Sequence, residues 1–124
     1  MRAARLLALL VAASVSGCAH DPGARDAPKI VPSVELAPYA SHQDCFDLVP
    51  GDRLDYSFES TDPVAFNLGY RDGGAIVMPI TRDGTLADGA VFAPRIAQRY
   101  CMSWEAGGAG AKIGYRVQIR SATR

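Results

Sequence analysis

The sequence predicts an all-β fold, a small antiparallel β-sandwich held by one disulfide, over residues 45–124. Three observations predict it. Apolar and polar residues alternate with a period of two in five separate runs, which is the pattern of strands with one buried face. Turn-forming segments rich in Gly, Pro and Asp separate these runs. No window has a 3.6-residue period, so we expect no amphipathic helix.

The five runs also predict which side chains form the core. The apolar members of the first three runs are Leu54, Tyr56 and Phe58, then Val64, Phe66, Leu68 and Tyr70, then Ile76, Met78 and Ile80. Those of the last two runs are Tyr100, Met102 and Trp104, then Ile113, Tyr115, Val117 and Ile119. The predicted turns are Pro50-Gly51-Asp52, Asp62-Pro63, Asp72-Gly73-Gly74, Arg82-Asp83-Gly84, Asp88-Gly89 and the Gly-rich residues 107–110.

The N-terminus is similar to the export signal of a bacterial lipoprotein. Arg2 and Arg5 give it a positive start, and residues 6–15 form an apolar run that is too short to span a bilayer. The run ends in Val15-Ser16-Gly17-Cys18, which resembles the lipobox, whose cysteine carries a diacylglyceryl thioether. We therefore expect a signal peptide over residues 1–17 and lipidation of Cys18. The alternatives are an ordinary secretory signal with a chance cysteine and a cytosolic protein with an apolar N-terminus.

Lipidation would attach the protein to a membrane. Each buried methylene contributes about 0.8 kcal/mol, so two or three acyl chains hold a small domain stably. The resemblance implies a Gram-negative cell envelope, and Ala19 favours the outer membrane, facing the periplasm. Residues 18–44 contain four prolines and no sustained periodicity, so they are predicted to be an extended tether between the lipid and the domain. The alternative is a short strand at residues 33–36 that joins the sheet.

The cysteines predict one disulfide. Lipid uses Cys18, which leaves Cys45 and Cys101 in an oxidising compartment. Both are out of phase with the apolar residues beside them, so we expect both thiols on the outer faces of neighbouring strands. The bond would contribute roughly 4 kcal/mol in the chain-entropy model, which is much for a domain with so thin a core. The alternatives are two free thiols or a redox pair, although no Cys-x-x-Cys is present.

The domain resembles the Golgi-dynamics (GOLD) domain, a jelly-roll-like β-sandwich of secretory-pathway and lipid-binding proteins. The resemblance lies in Cys45-Phe46, the Pro/Gly turn and aromatic strand of residues 50–58, the strand of residues 64–68, the run Tyr100-Cys101-Met102-Ser103-Trp104 and the last strand of residues 115–119. This chain departs from the family where an Asn often follows the late aromatic residue. The resemblance implies a non-catalytic interaction domain and has no catalytic residue to carry over.

Candidate catalytic and metal-binding motifs are weak. His42 and Cys45 have the spacing of a metal pair, but this is half of a structural zinc site, and Cys45 has a better partner in Cys101. Residues 107–112 are Gly-rich and end in a lysine, but the Ser or Thr that follows this lysine in a phosphate-binding loop is missing. We therefore expect no catalytic residue, no bound metal and no cofactor.

Charge is distributed unevenly along the chain. Without residues 1–17 the chain has 11 basic and 13 acidic residues, which argues against nucleic acid as a partner. Residues 18–62 have a net charge of −6 and residues 63–124 one of +4. Four arginines would form a basic stripe if their strands are neighbours, namely Arg95, Arg99, Arg116 and Arg120. The stripe would bind an anionic polymer, a lipid phosphate or an acidic protein face. The alternative is cross-strand compensation by Asp55 and Glu59.

These observations favour a lipid-anchored, non-catalytic binding module of the cell envelope, whose partner is an envelope protein or an anionic polymer. One alternative is a periplasmic inhibitor of a hydrolase such as lysozyme, which would use a protruding loop that carries Arg or Asp. Another is an enzyme or a small-ligand carrier. A carrier would need a closed cavity, lined by Tyr56, Phe66, Met102 and Trp104.

Overall fold

The computed structural model describes residues 24–122, which form six antiparallel strands. The strands are β1 (Lys29–Leu36), β2 (Ser41–Leu48), β3 (Arg53–Asp72), β4 (Ala75–Phe92), β5 (Gln98–Ala106) and β6 (Ala111–Arg120). Within residues 24–122 there is no helix that is long and apolar enough to cross a membrane. The prediction of an all-β antiparallel fold is confirmed. The predicted signal peptide and Cys18 lie outside the described residues.

The strands form one curled sheet. Their order is β1-β6-β3-β5-β2, and β4 pairs with β3. Residues 53–60 of β3 pair with β6, whereas residues 64–69 pair with β5, and β4 accompanies both parts. The sheet is therefore a half-barrel. We call β1, β6 and the adjoining parts of β3 and β4 the β6 half, and β2, β5 and the adjoining parts of β3 and β4 the β5 half.

The core lies between the inner faces of the two halves. The ring centroid of Trp104 in β5 is 4.6 Å from that of Tyr115 in β6 and 5.8 Å from that of Phe58 in β3. Complete burial of one large apolar side chain contributes about 1.5–3 kcal/mol. The buried apolar side chains of the strands therefore stabilise the packing of the two halves against each other. The predicted core residues that are buried are Leu54, Tyr56, Phe58, Val64, Phe66, Leu68, Tyr100, Met102, Trp104, Ile113, Tyr115, Val117 and Ile119.

The third predicted core run is only partly correct. Ile80 packs against the core, but Ile76 and Met78 are 58% and 48% exposed. The register of β3 with β4 shifts between Leu68 and Tyr70. Because successive strand residues point to opposite faces, one extra residue moves the side chains beyond it to the other face. Ile76 and Met78 therefore lie on the outer face.

Three predicted turns are wrong, because the chain continues as strand through them. Asp62-Pro63 lies inside β3, where the chain bends from one half to the other and the ladder shifts between Glu59 and Val64. A proline is tolerated at such an irregularity because no regular ladder bond needs its missing N–H. Residues 82–84 and 88–89 lie inside β4, where Gly84 has a φ of 57° and absorbs the bend.

The other three predicted turns are confirmed. Residues 73–74 form a two-residue hairpin loop between β3 and β4, and Gly73 has a φ of 59°, as such loops require. Gly51, with a φ of 97°, lies in the turn before β3. The Gly-rich loop between β5 and β6 is closed by a hydrogen bond from Gly110 N to Gly107 O of 3.1 Å.

The predicted tether over residues 18–44 is corrected, because the sheet begins at Lys29. Residues 29–36 form β1, which includes the short strand at 33–36 that was the alternative. The prolines are placed where a missing N–H costs little: Pro32 lies at the register shift of an edge strand, and Pro38 lies in the turn between β1 and β2. The domain therefore starts before Cys45, and residues 18–23 lie outside the described part of the chain.

A buried carboxylate connects the two ends of the domain. Asp52 is 1% exposed and accepts hydrogen bonds from Val49 N at 3.0 Å and Ala122 N at 3.2 Å. Arg25, whose backbone bridges to Ile119, places its guanidinium 3.5 Å from the same carboxylate. Burial by itself would raise the pKa of Asp52, but these hydrogen bonds and the Arg25 charge outweigh it and hold that pKa below its ordinary value.

Candidate functional site

The predicted disulfide is confirmed, and it lies on the outer face of the β5 half. Cys45 of β2 and Cys101 of β5 are direct register partners, with a Cα–Cα distance of 4.0 Å. Both residues are half-buried, whereas Phe46 and Tyr100 beside them are buried on the inner face. The phase of the sequence alternation thus predicts the face correctly.

A groove of about 520 Å³ lies over this disulfide. Its lining comes from β2, β5, β3 and β4, in register positions that form three rows across the strands. The first row is Gln43, Ser103 and Asn67; the second is Cys45, Cys101 and Gly69; the third contains Arg99 and Arg71. Neighbouring strands are about 4.8 Å apart and alternate residues about 6.8 Å apart, so the rows cover about 10 Å by 14 Å.

The second row forms the floor between the two polar rows, with the half-buried disulfide beside Gly69, which is buried next to the Met78 side chain. Gly69 is needed there, since a Cβ atom at this position would be 2.6 Å from Val77 O. On the β4 side the exposed aliphatic side chains of Ile76 and Met78 form a wall. We call the site formed by these three rows and this wall the disulfide groove.

The disulfide groove is cationic. Arg71 and Arg99 line it, and none of its lining residues is Asp or Glu. Asp47 is the register partner of Arg99 but is not part of the lining. An arginine presents a planar fork of donors that suits carboxylate and phosphate groups. The groove therefore offers two arginines, a row of amide and hydroxyl groups, and an apolar floor that contains the disulfide.

The predicted basic stripe does not form as one surface. β3 lies between β5 and β6, so Arg99 and Arg116 belong to opposite halves of the sheet. Arg95 lies in the connection between β4 and β5. Arg120 is 3.7 Å from Asp55, which is the cross-strand compensation that was the alternative. Of the four arginines, Arg99 is the one in the disulfide groove.

A second concave surface lies on the outer face of the β6 half. It also has a volume of about 520 Å³, and its lining includes Gly89, Ser57 and Gly114. Its charged residues are of both signs, because Arg116 lies there together with Glu59 and Asp88. It is a matched comparison surface for the disulfide groove, similar in size but without the excess of positive charge.

A polar cluster lies on the inner side, where β1, β2 and β6 meet. The Asp44 carboxylate accepts hydrogen bonds from Lys29 Nζ at 2.8 Å and from Tyr115 OH at 2.7 Å. His42 Nε2 is 3.2 Å from the same phenol oxygen, and its ring stacks on Trp104. Since the phenol proton goes to Asp44, His42 Nε2 must carry its own proton to donate to Tyr115.

Tyr115 is a hydrogen-bond donor in this polar cluster. Burial, together with the hydrogen bond and the negative charge of Asp44, raises the pKa of Tyr115, so the phenol remains a neutral donor. In the tautomer that donates from Nε2, a neutral His42 has its lone pair on Nδ1. Residues 24–122 contain no group of three or more His, Cys, Asp and Glu side chains that could hold a metal ion.

Sequence reasoning missed parts of both sites. Asn67 and Arg71 lie in β3 and Gln43 lies in β2, and only the pairing of both strands with β5 brings them to one site. A signal was available for the polar cluster: His42 and Asp44 have the same parity as the buried Phe46 and Leu48, which places polar residues on an inward face. Because the sequence predicts a tether over residues 18–44, it gives no face to His42 and Asp44.

Neither a family model nor a curated protein matches the chain. Among solved structures, the chain is similar to one described as "Solution NMR structure of a de novo designed double-stranded beta-helix", with 14% sequence identity and a TM-score of 0.39. The similarity covers 73% of this chain and 97% of that one. The described residues themselves define an all-β antiparallel half-barrel with one disulfide and an outer groove lined by two arginines.

Proposed function

We propose that the protein is a non-catalytic binding module of the cell envelope, anchored by lipid on Cys18, that binds its partner in the disulfide groove. The observation that carries this proposal is the groove itself, whose floor is fixed by a covalent bond and whose lining has two arginines and no carboxylate. The GOLD-like resemblance supports it, since that family consists of interaction domains. The disulfide agrees with an oxidising compartment.

The filled interior favours an outer site over a carrier function. Phe66 is 5.3 Å from Tyr56 and 5.4 Å from Trp104 between ring centroids, and all three are at most 2% exposed. A ligand between the halves would have to separate these rings. A partner on the outer face requires no such change.

The anchor is tested by Cys18→Ser in the full chain. We expect this variant to leave the membrane fraction, or to accumulate unprocessed, whereas the wild type sediments with outer membranes. Wild-type protein that is found in the soluble periplasm, or that stays membrane-bound after Cys18→Ser, would contradict the anchor. Intact mass of the wild type gives an independent check, because two or three acyl chains add a defined mass.

The binding site is tested by photo-cross-linking in living cells. A photoreactive amino acid replaces Gln43 in the groove or, as the matched control, Ser57 on the outer face of the β6 half; both residues are exposed. We expect a discrete adduct from position 43 and none from position 57. Adducts from position 57 alone, or none from either position, would refute the groove as the binding site. A hydrolase found in the adduct would indicate that the protein is an inhibitor of that hydrolase.

A further inference from the structure

We propose that the ligand of the disulfide groove is an acidic polysaccharide that lies across the strands. This inference rests on the proposed function and names the chemical class of its ligand. The supporting observations are the order of the three rows, the charge of the lining, and the sulfur and methylene groups of the floor.

The first row suits sugar hydroxyl groups. Gln43, Ser103 and Asn67 stand side by side on three strands, and Thr81 on β4 continues the row as the register partner of Asn67. Amide and hydroxyl side chains each donate and accept hydrogen bonds, as sugar hydroxyls do. Their spacing of about 4.8 Å per strand repeats across the row, so a chain of sugar rings can meet successive side chains.

The floor and the wall suit the faces of sugar rings. The disulfide and the Met78 side chain, which lies beside the buried Gly69, provide sulfur and methylene surface in the groove. A sugar ring presents C–H groups on its face, and these bury apolar surface against sulfur and methylene groups.

The arginines supply the preference for negative charge. Arg99 and Arg71 are two residues along their strands from Cys101 and Gly69, about 6.8 Å beyond the floor. When hydroxyl groups of such a polymer meet the first row, the carboxylates on its opposite edge would lie towards the guanidinium groups. The lining supplies no carboxylate of its own to the guanidinium groups, and Asp47, the cross-strand partner of Arg99, is the acidic residue with which a ligand would compete.

The test measures binding of oligogalacturonate to the purified full chain in a neutral detergent. The matched neutral probe is the same oligosaccharide with its carboxylates methyl-esterified. We expect the acidic probe to bind at least tenfold more tightly than the ester, and more weakly as salt increases. R71Q/R99Q should lower its affinity at least tenfold, whereas R116Q, on the comparison surface, should change it less than twofold. Far-ultraviolet circular dichroism checks that each variant is folded.

Other probes separate this inference from the proposed function. Asn67→Ala should weaken the binding of oligogalacturonate more than that of polyglutamate, because the side chains of the first row would form hydrogen bonds with sugar hydroxyl groups. If polyglutamate or vesicles with anionic phospholipid bind in an Arg99-dependent way and oligogalacturonate does not, the polysaccharide inference is wrong, while the groove stands as a binding site. If no probe binds and position 43 gives no cross-linked adduct, both are wrong.

Discussion

Removal of the disulfide should cost this domain about 4 kcal/mol of unfolding free energy. The bond joins residues 56 apart in sequence, and the chain-entropy model gives this value for a loop of that length. The β2–β5 ladder runs along all eight residues of β2 and does not need the bond to form. Both cysteines lie on the outer face, so alanine at these positions leaves no buried cavity. The loss therefore comes mainly from a less restricted unfolded chain.

The assay is urea unfolding at 25 °C of the full chain in neutral detergent, for the oxidised protein and for Cys45→Ala/Cys101→Ala. We expect a lower midpoint and a larger m-value, because the unlinked unfolded chain exposes more surface. The melting temperature should fall by about 15–30 °C, since each kcal/mol shifts a domain of this size by about 4–8 °C. Ser103→Ala, on the same face of β5, is the control. A loss below about 1 kcal/mol with an unchanged m-value would refute this reasoning.

Two further predictions concern buried titratable groups. Asp52→Asn should destabilise the protein by about 1–3 kcal/mol, since it weakens the hydrogen bonds from Val49 N and Ala122 N, and the exposed Asp47→Asn is the control. Because the folded-state pKa of Asp52 is lowered, its contribution to the free energy of unfolding is present above about pH 4 and disappears as the pH falls towards that lowered pKa. If Asp52→Asn lost stability in acid as steeply as the wild type, this prediction would be contradicted. Burial, with the Asp88 charge, raises the pKa of Tyr56 to about 12, so its contribution is present below about pH 10 and disappears between about pH 10 and 12. Tyr56→Phe should remove about 2–3 kcal/mol of this alkaline loss of stability. Stability at pH 7 should stay within about 0.5 kcal/mol of the wild type, because the phenol OH has no hydrogen-bond partner among the described residues. A variant that is clearly less stable at pH 7 would refute this prediction.

The sequence was sufficient for the faces of most strands. Burial on one face leaves a period of two in the chain, and this period predicted the inward side chains of β5 and β6 correctly, together with the outward cysteines. It failed where the ladder is irregular. The shift near Tyr70 reversed the faces of Ile76 and Met78, and a bulge of one residue leaves no trace in the apolar pattern.

Prolines and Asp-Gly pairs misled in the long strands for a related reason. These residues mark places where the chain departs from a regular ladder, and a sharp turn is one way to depart. A bend within a continuous strand is another, and β3 and β4 use it to pass from one half of the sheet to the other. Pro32 shows the same effect in β1, where an edge strand was read as part of a tether. Local composition identifies the irregular residue, whereas the neighbouring strand decides between turn and bend.

The candidate site could not be predicted from the sequence, because its charge depends on the order in which the strands pair in the sheet. The predicted stripe assumed that the strands of Arg99 and Arg116 were neighbours, but β3 separates them, and Arg120 meets Asp55. Arg71, which precedes a turn, lines the groove together with Arg99 instead. The proposed preference of the groove for anions rests on these two arginines and on the lack of a carboxylate among its lining residues. Reversal of this excess by R71E/R99E should abolish binding of an acidic ligand, while R116E, where charges of both signs already meet, should leave it intact.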